Sequence, residues 1–435
     1  MLVIYTPQIT NRVRYIFDLF FKEQIQIPFM LTSSVDEFRA ADGAKIVYDI
    51  HPQKNCLCFG SAYLLFQRGI SQQDLTVSEY NYLKIFYQIA GDGFVLPFDP
   101  FAAAFYLVSR YEEYLPHAND RHDRFSPEES FAYRNGFLQV PVVNHYINLV
   151  RLKVQEHYPE LKFGVQKFKY KPTFDVDSAY NYRGKGPFRN LGGLARSVVN
   201  GNFTEAADRV KVLTGNKKDP YDNYDYLLRL HEKYNSKPVF FFLLGDYDEF
   251  DKGISINVTE FQSLIKSIAD EAEVGIHPSY ASNTDTNKLR REIGRLNRTL
   301  KRDVRISRQH FLKLKFPDTY RNLMDQDIEE DYTLGYAALP GFRASICSSF
   351  YFYDLGRENK TLLKLYPFAF MDATLNYYMK LKPHEALEVV KPFIDEVKDV
   401  NGLLITLWHN NSFSEADEWT GWRSMYERMV EYIKS

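Results

Sequence analysis

The amino-acid sequence predicts an α/β protein with parallel sheet, on three observations. Short apolar runs alternate with amphipathic stretches of helical period along the 435 residues, the strand-then-helix rhythm of parallel sheets. From about residue 169 the apolar runs become nearly continuous, and they end in Asp, His or Arg, where functional groups gather in such folds. The composition, 45% hydrophobic and 25% charged, is that of a globular chain long enough for two or three domains. It excludes disorder, collagen-like repeats and a disulfide scaffold. A net charge of −2 gives no basic footprint for nucleic acid or an anionic membrane. The aromatic content, 16%, implies either ring-rich cores or a ring-lined site.

Residues 1–165 read as a smaller α/β domain. Strands are expected at 2–5, 27–32, 45–49 and 56–60, and helices at 12–22, 80–90, 101–114 and 143–157. Val13, Ile16, Phe17 and Phe20 keep helical spacing, 101–114 is apolar along one side, and Pro141 precedes the last helix. Cys56 and Cys58 share one face of a strand and Cys347 lies far away. With no Cys or His at zinc-finger spacing, all three read as buried thiols. The dense opposite charges of 110–124 read as a salt-bridged loop packed on the neighbouring domain. The N-terminus lacks the pattern of a signal peptide, and no window approaches the ~20 apolar residues of a bilayer span. The expectation is a cytoplasmic protein with no transmembrane segment and no nucleic-acid partner.

A linker is expected at 157–171, and a second domain over 166–435. Its strands are expected at 169–177, 238–246, 273–277, 304–310 and 403–409, with helices at 222–235, 258–270, 286–301, 384–398 and 415–433. A strand-like stretch at 333–340 precedes Gly341, Phe342 and Arg343. Residues 181–222 are long for a connection between strand and helix, and are expected to shape a cleft with part of the first domain.

The strand ends carry chemistry. Asp175 and Asp177, two apart, point the same way. Neighbouring carboxylates repel unless a cation lies between them, so the pair suits a metal ligand beside a base, or else a cap and a turn. His277 closes an apolar strand before Pro278. Arg308 and His310 are again two apart: Arg orients a carboxylate, and His ligates a metal. His409 ends a buried strand beside Trp408, the setting of an acid catalyst with an aromatic wall, or of a packed structural His. Arg343 reads as an anion- or base-orienting group, or as an exposed charge.

The order of motifs is Thr173-Phe-Asp-Val-Asp177, Pro238-Val-Phe-Phe-Phe-Leu-Leu-Gly245, Glu273-Val-Gly-Ile-His277, the Arg308 strand, and Leu403-x-x-x-Leu407-x-His409. It resembles the NodB-homology polysaccharide deacetylase family, carbohydrate esterase family four, over about 168–435. The first half is similar to the α/β domain preceding this module in Bacteroidetes-type proteins. The resemblance implies a distorted (β/α) barrel and metal-dependent hydrolysis of N-acetyl groups on a sugar or polysaccharide. It implies Asp175 as base tethered by Arg308, His409 as acid, and Asp177 and His277 as ligands of a divalent ion, zinc being expected. The family's second metal His, four residues after the first, is Ala281 here. The third ligand then falls to His310, with Ser279 and Asn283 as weaker alternatives. Trp408, Tyr280 and Arg343 are the expected substrate contacts, with Phe342 beside them. The alternatives are a catalytically silent carbohydrate-binding or scaffolding protein of surface-polysaccharide biosynthesis, motivated by the missing His, and another amide hydrolase on the same barrel.

Overall fold

The computed structural model describes residues 1–435. The first region holds a four-stranded sheet of β1 (Leu2–Tyr5), β2 (Phe29–Thr32), β3 (Ala44–Asp49) and β4 (Leu57–Gly60), all parallel, in the order β2-β1-β3-β4. α1 (Asn11–Phe17) and α2 (Val35–Ala40) connect the first three strands, each capped by a hydroxyl, Thr10 and Ser34. α1 continues into a wider π-helical turn to Gln24. The helix expected at 80–90 is instead a hairpin of β5 (Ser78–Tyr80) and β6 (Leu83–Ile85). Its two turn residues, Asn81 and Tyr82, both have positive φ, the conformation of a tight hairpin turn, which overrides helical spacing. α3 (Pro100–Val108) is wholly buried and capped by Asp99. It stops short of 114 because Arg110 is left-handed. α4 (Phe131–Arg134) and α5 (Val142–His157) complete the region.

After 159–168 the chain enters an eight-stranded curled sheet. Its strands are β7 (Lys169–Val176), β8 (Val239–Leu243), β9 (Glu273–His277), β10 (Ile306–Ser307), β11 (Glu330–Asp331), β12 (Phe350–Asp354), β13 (Asn359–Leu365) and β14 (Leu403–His409). The order is β12-β13-β11-β10-β9-β8-β7-β14, parallel except for β12. The chain leaving β13 returns to the far edge, where Met371 makes a parallel bridge to Leu407 and brings the curl round to a distorted (β/α) barrel. Helices α6 (Gly186–Val199), α7 (Phe203–Leu213), α8 (Tyr224–Lys233), α9 (Thr259–Glu271), α10 (Thr286–Leu300), α11 (Asp318–Met324), α12 (Pro383–Asp399) and α13 (Trp422–Lys434) make up its connections and close the chain. No helix is long and apolar enough to cross a membrane.

Strand alternation divides the apolar residues in two. Val239, Phe241, Ile405, Leu407 and Met371 fill the barrel in a nine-residue cluster. Their neighbours Phe240, Phe242, Leu404 and Trp408 face outward, in a 101-residue core that runs without a break into the first region. Ion pairs tie the regions together, Lys360 with Asp18 and Glu23 among them. Arg12 on α1 pairs with Glu358, and Glu113 with Arg343 at 2.6 Å. Residues 333–340 form no strand, and 304–310 shortens to two ladder residues because Phe311 and Leu312, at φ +59° and +53°, turn the chain away. The β12–β13 hairpin and α11 went unanticipated in the sequence.

Candidate active site

Four strand ends meet at one mouth of the barrel. The ladder sets Asp175 opposite His409 on one side and Phe241 on the other, with Leu243 opposite His277 next along. A cleft there is lined by Asp175, Asp177, His277, His310, His409 and, from the first region, Arg124.

Asp175 is 2% exposed, and its Oδ1 accepts from Arg308 Nη1 at 2.8 Å. Arg308 is wholly buried, donates Nε–H to the Tyr332 carbonyl at 3.0 Å, and lies over the Phe241 ring. A buried carboxylate with one oxygen anchored to a fixed cation keeps its other oxygen free; Oδ2 lies 3.7 Å from His277 Nε2.

Asp177, His277 and His310 place one oxygen and two nitrogens within 4.8 Å of one another. His277 Nδ1 contacts the Arg308 carbonyl at 2.6 Å and must donate its proton there, so a neutral ring turns a bare lone pair at Nε2 toward Asp177 Oδ1, 3.3 Å away. Both atoms are shut off from solvent without a hydrogen-bond partner. Two facing acceptors call for a cation between them. Spacings of 3.3 and 3.5 Å from Asp177 Oδ1 to the two Nε2 atoms agree with the ~3.4 Å edge of a tetrahedral ion whose ligands lie at about 2.0–2.1 Å. The residues therefore fit a divalent ion.

His310 begins the turn after β10, and its Nδ1 bonds Asp251 Oδ1 at 2.8 Å. Asp251 also accepts from the backbone N–H of Tyr280 and Ala281 at 2.8 and 3.2 Å. A carboxylate behind the ligand fixes the tautomer and leaves Nε2 for the ion. Burial opposes a charge on His310, but Asp177 and Asp251 outweigh it and raise the metal-free imidazole to about 9. Loss of water likewise works against the Asp177 carboxylate, and the charged His310, with His409, still holds it well below the usual range. Ala281, where the resemblance leads one to expect a second His, only opens a short helical turn. Ser279 bonds Glu292, and Asn283 bonds the Lys313 carbonyl, so neither faces the ion site.

His409 Nδ1 lies 2.8 Å from Asp372 Oδ1 and its Nε2 4.0 Å from Asp177 Oδ2, on the cleft side. Asp372, wholly buried, also accepts the His409 backbone N–H at 2.7 Å and the Ser412 hydroxyl. Burial alone would lower the His409 imidazole; Asp372, with Asp177 and Asp175 further off, raises it to about 10.

Three expected substrate contacts lie elsewhere. Trp408 is wholly buried against Tyr426, because alternation puts it on the opposite face from His409. Arg343, 2% exposed, is a structural cation, bidentate to Glu113 and bonded to the Gly335 carbonyl. Tyr280 packs on Phe250 outside the cleft, and Phe342 lies in the core against Phe393. The rings that do line the cleft are Phe311, Tyr377, Tyr378 and Trp419, on helical turns of three to five residues, too short for a periodic signal. Residues 181–222 border a second groove, which meets the cleft at Tyr377, Asn411 and Trp419. Arg124 donates to the Phe311 carbonyl at 2.7 Å and the Tyr378 hydroxyl at 3.2 Å, its charge met by Asp120 at 2.6 Å.

Residues 2–159 match DUF7033, a family of unknown function. No curated protein matches the chain. Among solved structures, a putative polysaccharide deacetylase from Mycobacterium smegmatis is similar at 14% identity and a TM-score of 0.40, over 63% of this chain and 87% of the other. A polysaccharide deacetylase from Bacillus cereus is 14% identical, with a TM-score of 0.30, over 61% and 88%. A carbohydrate esterase family four pseudoenzyme from Bacillus anthracis is 13% identical, with a TM-score of 0.30, over 61% of each chain.

Proposed function

We propose that the protein is a metal-dependent hydrolase that removes N-acetyl groups from a sugar or polysaccharide. The observation that carries the reading is the convergence of three units on one cleft: the Asp177–His277–His310 ligand set, the Asp175–Arg308 pair and the Asp372–His409 pair. With His310 filling the ligand set, the reason for a silent protein, the missing second His, loses its force. The motif order of carbohydrate esterase family four supports the choice of acetamide over other amides.

A divalent ion held by Asp177, His277 and His310, with zinc suited to one carboxylate and two imidazoles, supplies Lewis acidity toward the acetyl carbonyl. Asp175 takes the proton of the attacking water at Oδ2, because Oδ1 is held by Arg308. Arg308 holds that carboxylate correctly turned. His409 gives the proton on Nε2 to the departing nitrogen, and Asp372 stabilises the imidazolium that precedes this transfer. The walls formed by Phe311, Tyr377 and Trp419 offer faces for a sugar ring.

The test is acetate release from N-acetylglucosamine oligomers by zinc-loaded protein. Asp175→Asn should retain the fold and lower the rate by about 10²–10⁴-fold. Zinc-loaded protein that releases no acetate from any N-acetylated sugar, or an Asp175→Asn variant of full activity, overturns the assignment.

A further inference from the structure

The hairpin of α6 and α7, inserted between β7 and α8, turns its apolar residues outward. On α6, Phe188, Leu191, Val198 and Val199 are exposed, Phe188 by 89% and Val199 by 84%. On α7, Phe203, Val210 and Leu213 are exposed, Phe203 by 68%. These are not scattered positions. At about 100° per residue each set falls within an arc of about 100–120°, one stripe along each helix. An amphipathic helix normally turns such a stripe to the core; here the core takes only Ser197 from α6 and Ala206 and Val212 from α7.

The charge around the stripes is one-sided. Residues 183–218 carry eight Lys or Arg against two acids, a local +6 in a chain whose net charge is −2. The near-neutral total, which gave no sign of an anionic surface, averages this segment away. Arg196 and Lys211 each follow the leading Phe of their helix by eight residues, about 80° round, so each flanks its stripe. Both are exposed, whereas Lys217 is paired with Asp208. Tyr247, 63% exposed, stacks on Arg189 beside α6 and adds a ring of the kind that settles at headgroup depth.

We propose that the α6–α7 hairpin is a docking surface for an anionic phospholipid bilayer. An apolar stripe with Phe and Leu, flanked by Arg and Lys, lies in the plane of a membrane interface with its rings among the acyl chains and its cations on the headgroups. The hairpin follows β7 on the barrel end that carries Asp175 and Asp177. Tyr182 and Glu205 line the groove that meets the cleft at Tyr377 and Trp419. Docking would present this groove to glycans tethered at the bilayer surface. The docking stands independently of the hydrolase reading; only this statement about substrate rests on it.

The experiment is flotation of the full chain with vesicles of phosphatidylcholine alone and with phosphatidylglycerol added, at low and high salt. Binding should require phosphatidylglycerol, weaken with salt, and fall by at least about tenfold in Phe188→Ser/Leu191→Ser/Phe203→Ser. Arg196→Glu/Lys211→Glu should abolish the preference for the anionic lipid. All five side chains are exposed, so melting temperature should be unchanged and acetate release from soluble oligomers retained. No binding to phosphatidylglycerol vesicles, or binding that the triple variant retains, overturns the proposal. So does a wild-type oligomer that the triple variant converts to monomer without any vesicle binding, which would assign the stripes to a second copy. Vesicle binding without acetate release leaves the docking in place and overturns the hydrolase reading alone.

Discussion

Replacing Asp372 by Asn tests the acid half of the mechanism with little change of shape. The carboxylate accepts Nδ1–H of His409 at 2.8 Å and is wholly buried, so its charge acts on the imidazole with little screening. Two effects of the carboxylate are lost together. The charge that raises His409 to about 10 goes, and the ring is no longer held protonated at neutral pH. The amide can also donate to Nδ1, which moves the single proton of a neutral ring to Nε2 and leaves an imidazole in place of an imidazolium as donor. A general acid contributes about 10²–10⁴-fold, and kcat for acetamide hydrolysis should fall through that range with KM little changed. The discriminating assay pairs an N-acetyl sugar with an activated aryl acetate, whose leaving group departs without a proton. The variant should lose at least about tenfold less on the ester than on the amide. Equal losses on both, with the zinc content of wild type, would refute His409 as the acid and leave Asp372 a structural residue. An unimpaired variant would refute the pair altogether.

The remaining expectations concern the metal and the fold. His310→Ala should abolish stoichiometric zinc in elemental analysis, while Asp251→Asn should weaken zinc about 10–100-fold, as expected when a ligating His loses its carboxylate; full zinc in His310→Ala would return the third-ligand position to another residue. Arg124→Ala, which frees the Phe311 carbonyl, should weaken zinc about tenfold without changing the ligand set, and Arg124→Lys should restore part of this. Glu113→Gln leaves Arg343 buried without its counter-ion, a loss of about 3–5 kcal/mol, and should lower Tm by about 3–6 °C for a chain of this length. Arg343 and Arg110 overcome burial to hold the Glu113 carboxyl below its usual range. Its contribution is therefore complete above the unfolded value of about 4.3 and is lost as pH falls below it, so wild type and variant should converge in Tm toward acid.

How much was legible depends on where a residue sits. Asp175, Asp177, His277 and His409 lie on or just beyond strands with regular ladders, where a period of two tells which side chains share a face. The same rule, applied to Trp408, puts it opposite His409 and out of the cleft, although the two are adjacent in sequence. Arg343 follows an irregular stretch with no period to show its direction. Asp251 and Asp372 carry no signal in the sequence, because each lies on a connecting segment and meets its partner, His310 or His409, only across a long stretch of chain. The 80–90 helix failed for a different reason: spacing alone gave no weight to Asn81 and Tyr82, whose left-handed turn decides the local structure.

The proposed place of His310 as third ligand has a structural consequence that reaches the first region. A His one helical turn after His277 would be placed by the geometry of that turn alone. His310 comes instead from the turn after a two-residue strand and is followed by Phe311 and Leu312, both left-handed, a conformation costing roughly 1–2 kcal/mol per residue. Such a corner persists only where its surroundings hold it. Behind the imidazole stands Asp251; at the corner stands Arg124, which bonds the Phe311 carbonyl, while His122 packs on the Phe311 ring. Both of the latter belong to the segment before the barrel. A barrel that takes its third ligand from this corner thus depends on the first region for the ligand's position, and the shared core and the Glu113–Arg343 pair keep that region in place.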